Sequence, residues 1–195
     1  MTSLAVTDGR RIELVHGDIT TERLDAVANA ANEALRGGGG VDGAIHRAAG
    51  PGMLEELEAR YPDGTPTGSA VATAGHGLPA RWVLHAVGPI WQGGGMREEI
   101  NLRRCYERIL EEALLDAAYR SCLRLADELG ARSVGFPAIS MGIYGYPAED
   151  GARVAVNAVA DHLHGDTEIE LVRFVLFSDE TYGHFADAVA AAAES

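Results

Sequence analysis

The chain is short of cysteine, of long apolar runs and of basic residues, and each shortage excludes a class of protein. Its two cysteines, Cys105 and Cys122, fall in sequence typical of helices, so we expect reduced core thiols and no disulfide framework. No apolar run reaches the roughly 18 residues that a membrane-spanning helix needs. Residues 1–11 lack a basic segment followed by an apolar core, so we expect no secretory signal. These absences predict a cytoplasmic protein with no membrane partner.

Basic residues are scarce relative to acidic ones. Lysine and arginine total 16 against 29 aspartates and glutamates, which gives a formal net charge of −13. Nucleic acid is disfavoured as a partner, because binding it requires a basic surface. Long-range repulsion also opposes a polyphosphate ligand. Any anion that binds must therefore be held locally, by backbone amides and helix ends.

The composition is otherwise that of an ordinary globular protein, with 47% hydrophobic and 23% charged residues. A length of 195 residues without a visible linker or repeat predicts a single domain over residues 1–195. Predicted strands alternate with predicted helices, which indicates an α/β fold around a largely parallel sheet. The first strands and the region 70–87 favour some antiparallel pairing, so we expect the sheet to be mixed.

Hydrophobic periodicity and turn signals give the following elements. Strands are predicted at 11–16, 25–29, 70–73, 82–87, 133–136 and 171–177. Helices are predicted at 42–49, 53–61, 97–129, 148–162 and 178–192. The segment 97–129 is either one long helix or two helices with a kink near Leu115, and Gly130 is its predicted C-cap.

Four consecutive glycines, Gly37–Gly40, form the most informative stretch. Asn29 and Asn32 precede them, and a predicted helix that carries Asp42 and His46 follows. Such a run weakens regular structure but lets a backbone expose its N–H groups to a ligand. With a helix start directly behind it, the run predicts an anion-binding loop. A flexible linker is the alternative, which the apolar flanks and the lack of a Ser/Pro-rich spacer disfavour.

A second glycine-containing loop, Pro137–Pro147, follows the predicted strand 133–136. Ligands of open α/β sheets lie beyond the carboxyl ends of strands, so the two loops are expected to face one crevice. Tyr144 and Tyr146 would add aromatic walls to it. Asp18 also follows a strand and could accept a hydrogen bond from an exocyclic amine or a hydroxyl. A turn or capping role for Asp18 is equally compatible with the sequence.

Five segments in order resemble the macrodomain family, and most closely its MacroD-type branch. They are Gly17–Thr20, Asn29–Asn32, Gly37–His46, Trp82–Trp91 and Phe136–Pro147. The resemblance extends from about Val15 to Asp150, and the last strand and helix also fit it. It implies a three-layer α/β/α sandwich around a mixed sheet, with ADP-ribose bound across the crest.

The resemblance also implies a role for each site residue. Asp18 would hold the adenine amine with the Ile19 backbone beside it, and Phe177, or less plausibly Tyr182, would lie against the adenine ring. Asn32 and Asp42 would contact the distal ribose. The diphosphate and the distal ribose would be held by residues of the two loops, namely Gly39, Gly40 and Val41 of the first and Ser140, Met141, Gly142, Ile143 and Tyr144 of the second.

The activity implied is hydrolysis of ADP-ribosyl esters. No clustered set of Cys, His and Asp residues stands out in the sequence, so we expect neither a metal nor a cofactor. The MacroD-type branch removes mono-ADP-ribose from acidic side chains of proteins and deacetylates O-acetyl-ADP-ribose, so ADP-ribose derivatives and mono-ADP-ribosylated proteins are the implied partners. Asp42 is either a general base or a ribose clamp, because a ligand phosphate could accept the proton instead. His46 lies one turn further along the helix and either supports Asp42 or transfers a proton. Asn32 either orients the ribose or stabilises a turn.

Two other functions remain open on the residues alone. One is a reader module that binds ADP-ribose without hydrolysing it, and the other is a phosphatase that acts on a phosphorylated ADP-ribose. The presence of Asn32, Asp42 and His46 together favours the hydrolase. The chain departs from the family pattern at Met141, where a threonine is common, and in segment 97–129, which is about a dozen residues longer than usual.

Overall fold

The structure is a computed structural model that describes residues 2–7, 9–91 and 98–193, without the side chains of 98–108. Its strands are β1 (Thr2–Thr7), β2 (Arg10–His16), β3 (Ala26–Ala31), β4 (Ala70–Ala74), β5 (Trp82–Val87), β6 (Ser133–Phe136) and β7 (Leu171–Leu176). Its α-helices are α1 (Gly40–Ala49), α2 (Pro51–Arg60), α3 (Glu98–Glu128), α4 (Ala148–His164) and α5 (Asp179–Ala192). A short 3₁₀ helix spans Ile19–Thr21.

All the strands join one sheet of seven in the order β1-β2-β7-β6-β3-β5-β4. The five inner strands of this order, β2, β7, β6, β3 and β5, are parallel to one another. The two edge strands, β1 and β4, pair antiparallel with their neighbours. The predicted mixed, largely parallel sheet is thus confirmed. Because the central strands are parallel, their carboxyl ends lie along one edge of the sheet, and the loops that follow β2, β3, β6 and β7 meet there.

Helices cover both faces of this sheet, which confirms the predicted α/β/α sandwich. Alternate strand residues face opposite sides, so Ala28 of β3 packs with α3, α4 and α5, whereas Val27 packs with α1 and α2. Within the larger core, four aromatic rings contact one another with centroids 4.8–6.2 Å apart, namely Tyr119, Phe136, Phe174 and Phe185. This core and the smaller core on the opposite face of the sheet hold in place the strands whose carboxyl ends carry the loops of the crest.

The predicted helices and strands match the observed ones to within a few residues, apart from one additional strand. Strand β1 was not predicted, and α3 is a single continuous helix over 98–128, which decides the alternative left open at Leu115. Gly130 follows α3 with a φ of 66°, as expected of a helix C-cap. Cys122 is fully buried, which raises the pKa of its thiol, whereas the Cys105 side chain and residue 97 of the predicted helix 97–129 lie outside the described residues.

Within the described ranges, no helix combines the length and the apolar composition that crossing a membrane requires.

Candidate functional site

A cleft of about 670 Å³ opens at the carboxyl ends of β2, β3, β6 and β7. Both glycine-containing loops line it, as the sequence predicted. Its wall also contains Gly17–Ile19 after β2 and Phe177 after β7. Most of the predicted site residues therefore come together in one cavity, namely Asp18, Ile19, Asn32, Gly39, Gly40, Val41, Asp42, Ser140, Met141, Gly142, Ile143, Tyr144 and Phe177. His46 is the exception, because it lies behind Asp42.

The first loop presents free backbone amides to this cleft. Helix α1 begins at Gly40, and its N-cap Gly39 provides no side-chain cap. Among the described residues, the N–H groups of 38–41 have no hydrogen-bond partner. The positive end of the helix dipole lies at the same point. These groups form an anion-binding surface built from backbone alone.

Two glycines make this close geometry possible. A Cβ built on Gly43 would lie 2.5 Å from the carbonyl oxygen of Gly38, so the loop folds back onto the helix only because Gly43 has no side chain. Gly40 adopts a φ of 58°, which favours glycine.

The second loop faces the first across the cleft. Two backbone hydrogen bonds close it, from Tyr146 N–H to the Ser140 carbonyl at 2.9 Å and from Gly145 N–H to the Gly142 carbonyl at 3.0 Å. The N–H groups of 142–144 have no partner in the described part of the chain. Ile143 is 74% exposed and reaches towards the first loop, where a Cβ built on Gly39 would lie 2.8 Å from its Cδ1.

Ser140 is held in an uncommon conformation in this loop. Its φ is 65°, its side chain is buried, and its Oγ has no described partner. A Cβ built on Gly88 would lie 2.2 Å from that Oγ, so the glycine after β5 makes room for the serine. An unpartnered buried hydroxyl at the cleft is a hydrogen-bonding group available to a ligand.

Helix α3 supports the second loop from below. The Tyr119 hydroxyl donates to the Pro137 carbonyl at 3.3 Å and accepts from Ile139 N–H at 3.1 Å. Tyr119 is completely buried, and its hydroxyl ties the loop to the helix. Burial raises the pKa of Tyr119, so this hydroxyl keeps its proton.

Among the described residues, no arginine lines the cleft, and its charged side chains are Asp18 and Asp42. The predicted reliance on backbone amides for an anion therefore fits the observed lining.

Asp42 lines the cleft and is only 5% exposed. Its Oδ1 accepts a hydrogen bond from Asn29 Nδ2 at 2.7 Å, and His46 Nε2 lies 3.3 Å from the same oxygen. The described hydrogen bonds leave Oδ2 without a partner, and a Cβ built on Gly38 would lie 3.0 Å from it. One carboxylate oxygen is thus anchored and the other is open to the cleft.

His46 contacts Asp42 and packs under the first loop. Its ring atoms would lie 3.5 Å from a Cβ on Gly37, and its side chain is 14% exposed. This placement behind the carboxylate favours the supporting role over direct proton transfer.

Asn32 has the turn-stabilising contact that was one of its two predicted roles. Its Nδ2 donates to the Gly37 carbonyl at 2.8 Å, which stabilises the turn before the glycines. Its Oδ1 is buried without a described partner at the cleft wall. A buried unpaired oxygen at this point is an acceptor for a ligand hydroxyl.

At the opposite end of the cleft, Asp18 caps the 3₁₀ helix. Its Oδ1 accepts from Thr20 N–H at 2.9 Å and from Thr20 Oγ1 at 2.7 Å, and its described hydrogen bonds leave Oδ2 free. Phe177 stands 89% exposed at the rim. Tyr182 instead hydrogen-bonds Thr2 Oγ1 at 3.0 Å and does not line the cleft.

Tyr146 and Met141 of the second loop both pack against side chains or helices outside the loop. The expectation that Tyr146 forms a cleft wall was wrong, because Tyr146 is 3% exposed and packs its ring edge-on against Trp91 with centroids 5.5 Å apart. Met141 lines the cleft but packs its thioether on α4, where a Cβ built on Gly151 would lie 2.6 Å from its Cε. The bulk of Met141 is thereby directed towards α4.

Tyr144 does line the cleft, as predicted. Burial, together with the nearby charges of Asp42 and Glu33, raises the pKa of its phenol, so Tyr144 presents a neutral hydroxyl.

Sequence reasoning missed a buried polar chain behind Asp42. Asn29 contacts Asp42 and also His85, whose Nδ1 lies 3.2 Å from Asn29 Nδ2, and His85 Nε2 lies 3.0 Å from Thr73 Oγ1. The three residues Asn29, His85 and Thr73 are fully buried. Both ring nitrogens of His85 have a hydrogen-bond partner in this chain. The sequence could have predicted its contact with Asn29 only if β3 and β5 had been known to be neighbouring strands.

No group of three or more potential metal ligands occurs in the described portion of the chain.

Comparison with known proteins identifies the family of this fold and cleft. The Macro domain family model matches residues 28–114 and 111–155. The chain is 50% identical over 184 residues to a macro domain-containing protein of Streptomyces griseus, with 92% of this chain and 94% of that protein covered. It is 48% identical over 173 residues to a protein of Enterobacter cloacae named O-acetyl-ADP-ribose deacetylase, with 88% and 89% covered.

Solved structures agree. The Oceanobacillus iheyensis macrodomain with ADP superimposes with a TM-score of 0.85 at 36% identity, covering 99% of this chain and 96% of that one. The Trypanosoma brucei macrodomain in complex with ADP-ribose gives a TM-score of 0.77 at 38% identity, covering 91% and 68%. The chain belongs to the macro domain family, as its motifs predicted.

Proposed function

We propose that the chain binds ADP-ribose in this cleft and hydrolyses esters on the distal ribose. The substrates would be O-acetyl-ADP-ribose and proteins that carry mono-ADP-ribose on acidic side chains. The observation that carries the proposal is Asp42, a buried carboxylate with one oxygen anchored and the other open to an amide-lined cleft.

The cleft has a polar group where each part of ADP-ribose would need one. Asp18 Oδ2 is free to accept from the exocyclic amine of adenine, with Phe177 beside it to cover the ring. The free amides of 38–41 and 142–144 would hold the diphosphate between them. Ile143 would then close over the diphosphate, since it already approaches Gly39.

The distal ribose would lie against Asn32 and Asp42. The unpaired Oδ1 of Asn32 would accept from a ribose hydroxyl, and Asp42 Oδ2 would contact either another hydroxyl or the attacking water. Any amide of 38–41 or 142–144 that the diphosphate does not use would stabilise the oxyanion that forms at the ester carbon. No cofactor is needed for this reaction.

Asp42 acts either as the general base or as a clamp that orients ribose and water. If it is a clamp, a phosphate oxygen of the ligand accepts the proton. His46 supports Asp42 in both cases through its contact with Oδ1.

A module that binds ADP-ribose without hydrolysing it would use the same cleft. The anchored carboxylate at the ribose end favours hydrolysis, because a charge buried at this position costs free energy that binding alone does not require. Relatives named O-acetyl-ADP-ribose deacetylase also support the hydrolase.

Two measurements test the proposal in sequence. Calorimetry should show 1:1 binding of ADP-ribose, and the absence of binding would refute the ligand assignment. O-acetyl-ADP-ribose and a protein mono-ADP-ribosylated on glutamate are then incubated with the wild type, Asp42→Ala and the surface control Asp161→Ala, whose side chain is 66% exposed. Wild type and control should release product and Asp42→Ala should be slower by about 100-fold or more. Tight binding with no release by the wild type would identify a reader instead.

A further inference from the structure

The chemistry of the buried polar residues behind Asp42 fixes which atom donates in each of their hydrogen bonds. Asn29 lies on β3 between two acceptors, with its Nδ2 2.7 Å from Asp42 Oδ1 and 3.2 Å from His85 Nδ1. A carboxylate oxygen only accepts hydrogen bonds, and an amide nitrogen only donates them. The amide of Asn29 must therefore turn its NH₂ group to both neighbours, which leaves its Oδ1 buried without a described partner.

The protonation state of His85 determines whether this orientation of the Asn29 amide is stable. Burial and the neighbouring His46 lower the pKa of His85 to about 3, so the ring is neutral and carries one N–H. Since Nδ1 faces an amide donor, the proton must lie on Nε2, which donates to Thr73 Oγ1 at 3.0 Å. The other titratable groups that act on this ring are Asp42, Glu56 and His76.

The sheet makes this alignment rigid. Asn29 and His85 are directly paired residues of the parallel strands β3 and β5, and Thr73 lies on β4, the next strand. All three side chains are fully buried on the face of the sheet that α1 covers. Rotation of the Asn29 amide by 180° would bring its oxygen against both the carboxylate and the ring nitrogen, so the chain has a single favourable state.

We infer that Asn29 is a positioning residue that holds Asp42 with its Oδ2 towards the cleft, and that His85 fixes the direction of the Asn29 amide. This inference rests on the proposed hydrolysis for its effect on rate. It assigns no contact between these residues and the ligand. Asn29 and His85 should therefore matter for turnover and not for the affinity for ADP-ribose.

The matched variants are His85→Leu, which removes the acceptor for Asn29, and His85→Gln, which can restore one with its amide oxygen. The control is Val83→Ala, which removes buried atoms two residues away on the same strand, where Val83 pairs with Val27 of β3 and with Thr73 of β4 and not with Asn29. His85→Leu should lower kcat for O-acetyl-ADP-ribose by about 10- to 100-fold. Its Kd for ADP-ribose should stay within about twofold, whereas His85→Gln and Val83→Ala should retain most of kcat.

Two results would overturn the inference when the wild type is active. One is a kcat of His85→Leu equal to that of the wild type, and the other is a loss in kcat that Val83→Ala reproduces, since that loss would be merely structural.

A second readout does not require activity. Nitrogen-15 NMR of the wild type should show the His85 proton on Nε2, and the Asn29 side-chain NH₂ should exchange slowly with solvent. Exchange should become faster in Asp42→Ala and in His85→Leu. A proton on Nδ1, or exchange unaffected by both substitutions, contradicts the alignment. If the wild type hydrolyses neither substrate, the proposed function fails, and this measurement alone decides whether Asn29 is held as inferred.

Discussion

At the scale of single residues, the cleft contains two aspartates in different surroundings. Asp42 is buried, and Asn29 and His46 fix one of its oxygens. Asp18 is exposed and uses Oδ1 to cap the 3₁₀ helix. The different surroundings fit different tasks, in which Asp42 acts at the reacting end and Asp18 recognises the base.

Asp18→Asn separates recognition by Asp18 from its capping role. Asparagine keeps one oxygen for the cap, but its amide group meets the exocyclic amine of adenine with a donor. We expect the Kd for ADP-ribose to rise by about tenfold while the melting temperature stays within about 2 °C. Calorimetry and thermal unfolding measure the two quantities, with ribose 5-phosphate, which has no adenine, as the control ligand. An unchanged Kd would show that Asp18 is a cap alone.

The sequence predicted part of this residue-level picture. The spacing of Asp42 and His46 on one helix predicted their contact, which the structure shows at 3.3 Å. The contact between Asp42 and Asn29 was not predictable, because 13 residues and a loop separate them. It depends on how α1 packs on β3, and the partner His85 depends on the register of β3 with β5.

At the scale of elements, the start of α1 and the loop before it act as one unit. The loop packs so closely on the helix that Gly43 cannot carry a Cβ without moving the Gly38 carbonyl. The free amides of the loop are therefore held in place by contact with a regular helix.

Gly43→Ala tests this packing, and Gly183→Ala is its matched control. Both glycines lie in helices, but a Cβ on Gly183 meets nothing within 4 Å. We expect Gly43→Ala to lower the melting temperature and to raise the Kd for ADP-ribose by about tenfold, because the amides move with the Gly38 carbonyl. Gly183→Ala should stabilise the protein by about 1 kcal/mol. Equal affinities of the two variants would contradict the proposed role of the loop.

Most elements were predictable because their hydrophobic periods are clear, and the failures have local causes. Strand β1 has the sequence TSLAVT, with three Ser/Thr residues and an edge position, so its apolar signal is weak. The direction of Tyr146 was predicted wrongly because the direction of a loop side chain depends on its tertiary partner, here Trp91.

At the scale of the whole molecule, the sequence predicted a sandwich with a largely parallel sheet, but not the strand order. That order joins β2 to β7 across almost the whole chain. Such long-range pairings leave no local pattern. The carboxyl-end rule for open α/β sheets predicted that both loops face one cleft, and the family resemblance added the three-layer arrangement.

Because the net charge is −13, we expect the affinity for ADP-ribose to have an unusual salt dependence. Most phosphate-binding proteins lose affinity as salt screens their cationic side chains, but no arginine lines this cleft among the described residues. Screening should instead weaken the general repulsion of an anionic ligand. We expect the Kd for ADP-ribose to stay constant or to fall between 50 and 300 mM NaCl, measured by calorimetry. A Kd that rises severalfold would point to a cationic contact in the pocket.

Stability should fall in mild acid because of His85. Its pKa is about 3 in the folded protein against an ordinary 6.5, so only the unfolded chain gains this proton between those values. The contribution is complete above about pH 6.5 and is lost as the pH falls towards 3. Between pH 7 and pH 5 the loss should be about 2 kcal/mol.

Urea unfolding of the wild type and His85→Gln at both pH values measures this loss. The wild type should lose more stability than the variant, since glutamine does not titrate. Identical losses in the two proteins would exclude His85 as the cause.

The most direct test of hydrolysis at this cleft is the steady-state kcat for release of acetate from O-acetyl-ADP-ribose by the wild type and by Asp42→Asn. Asparagine keeps the shape of Asp42 but cannot act as a base, and it loses the negative charge that orients ribose and water. We predict that kcat falls by about 100-fold or more while ADP-ribose still binds. Equal kcat values for the two proteins would contradict the assignment of Asp42 as the central group of this site.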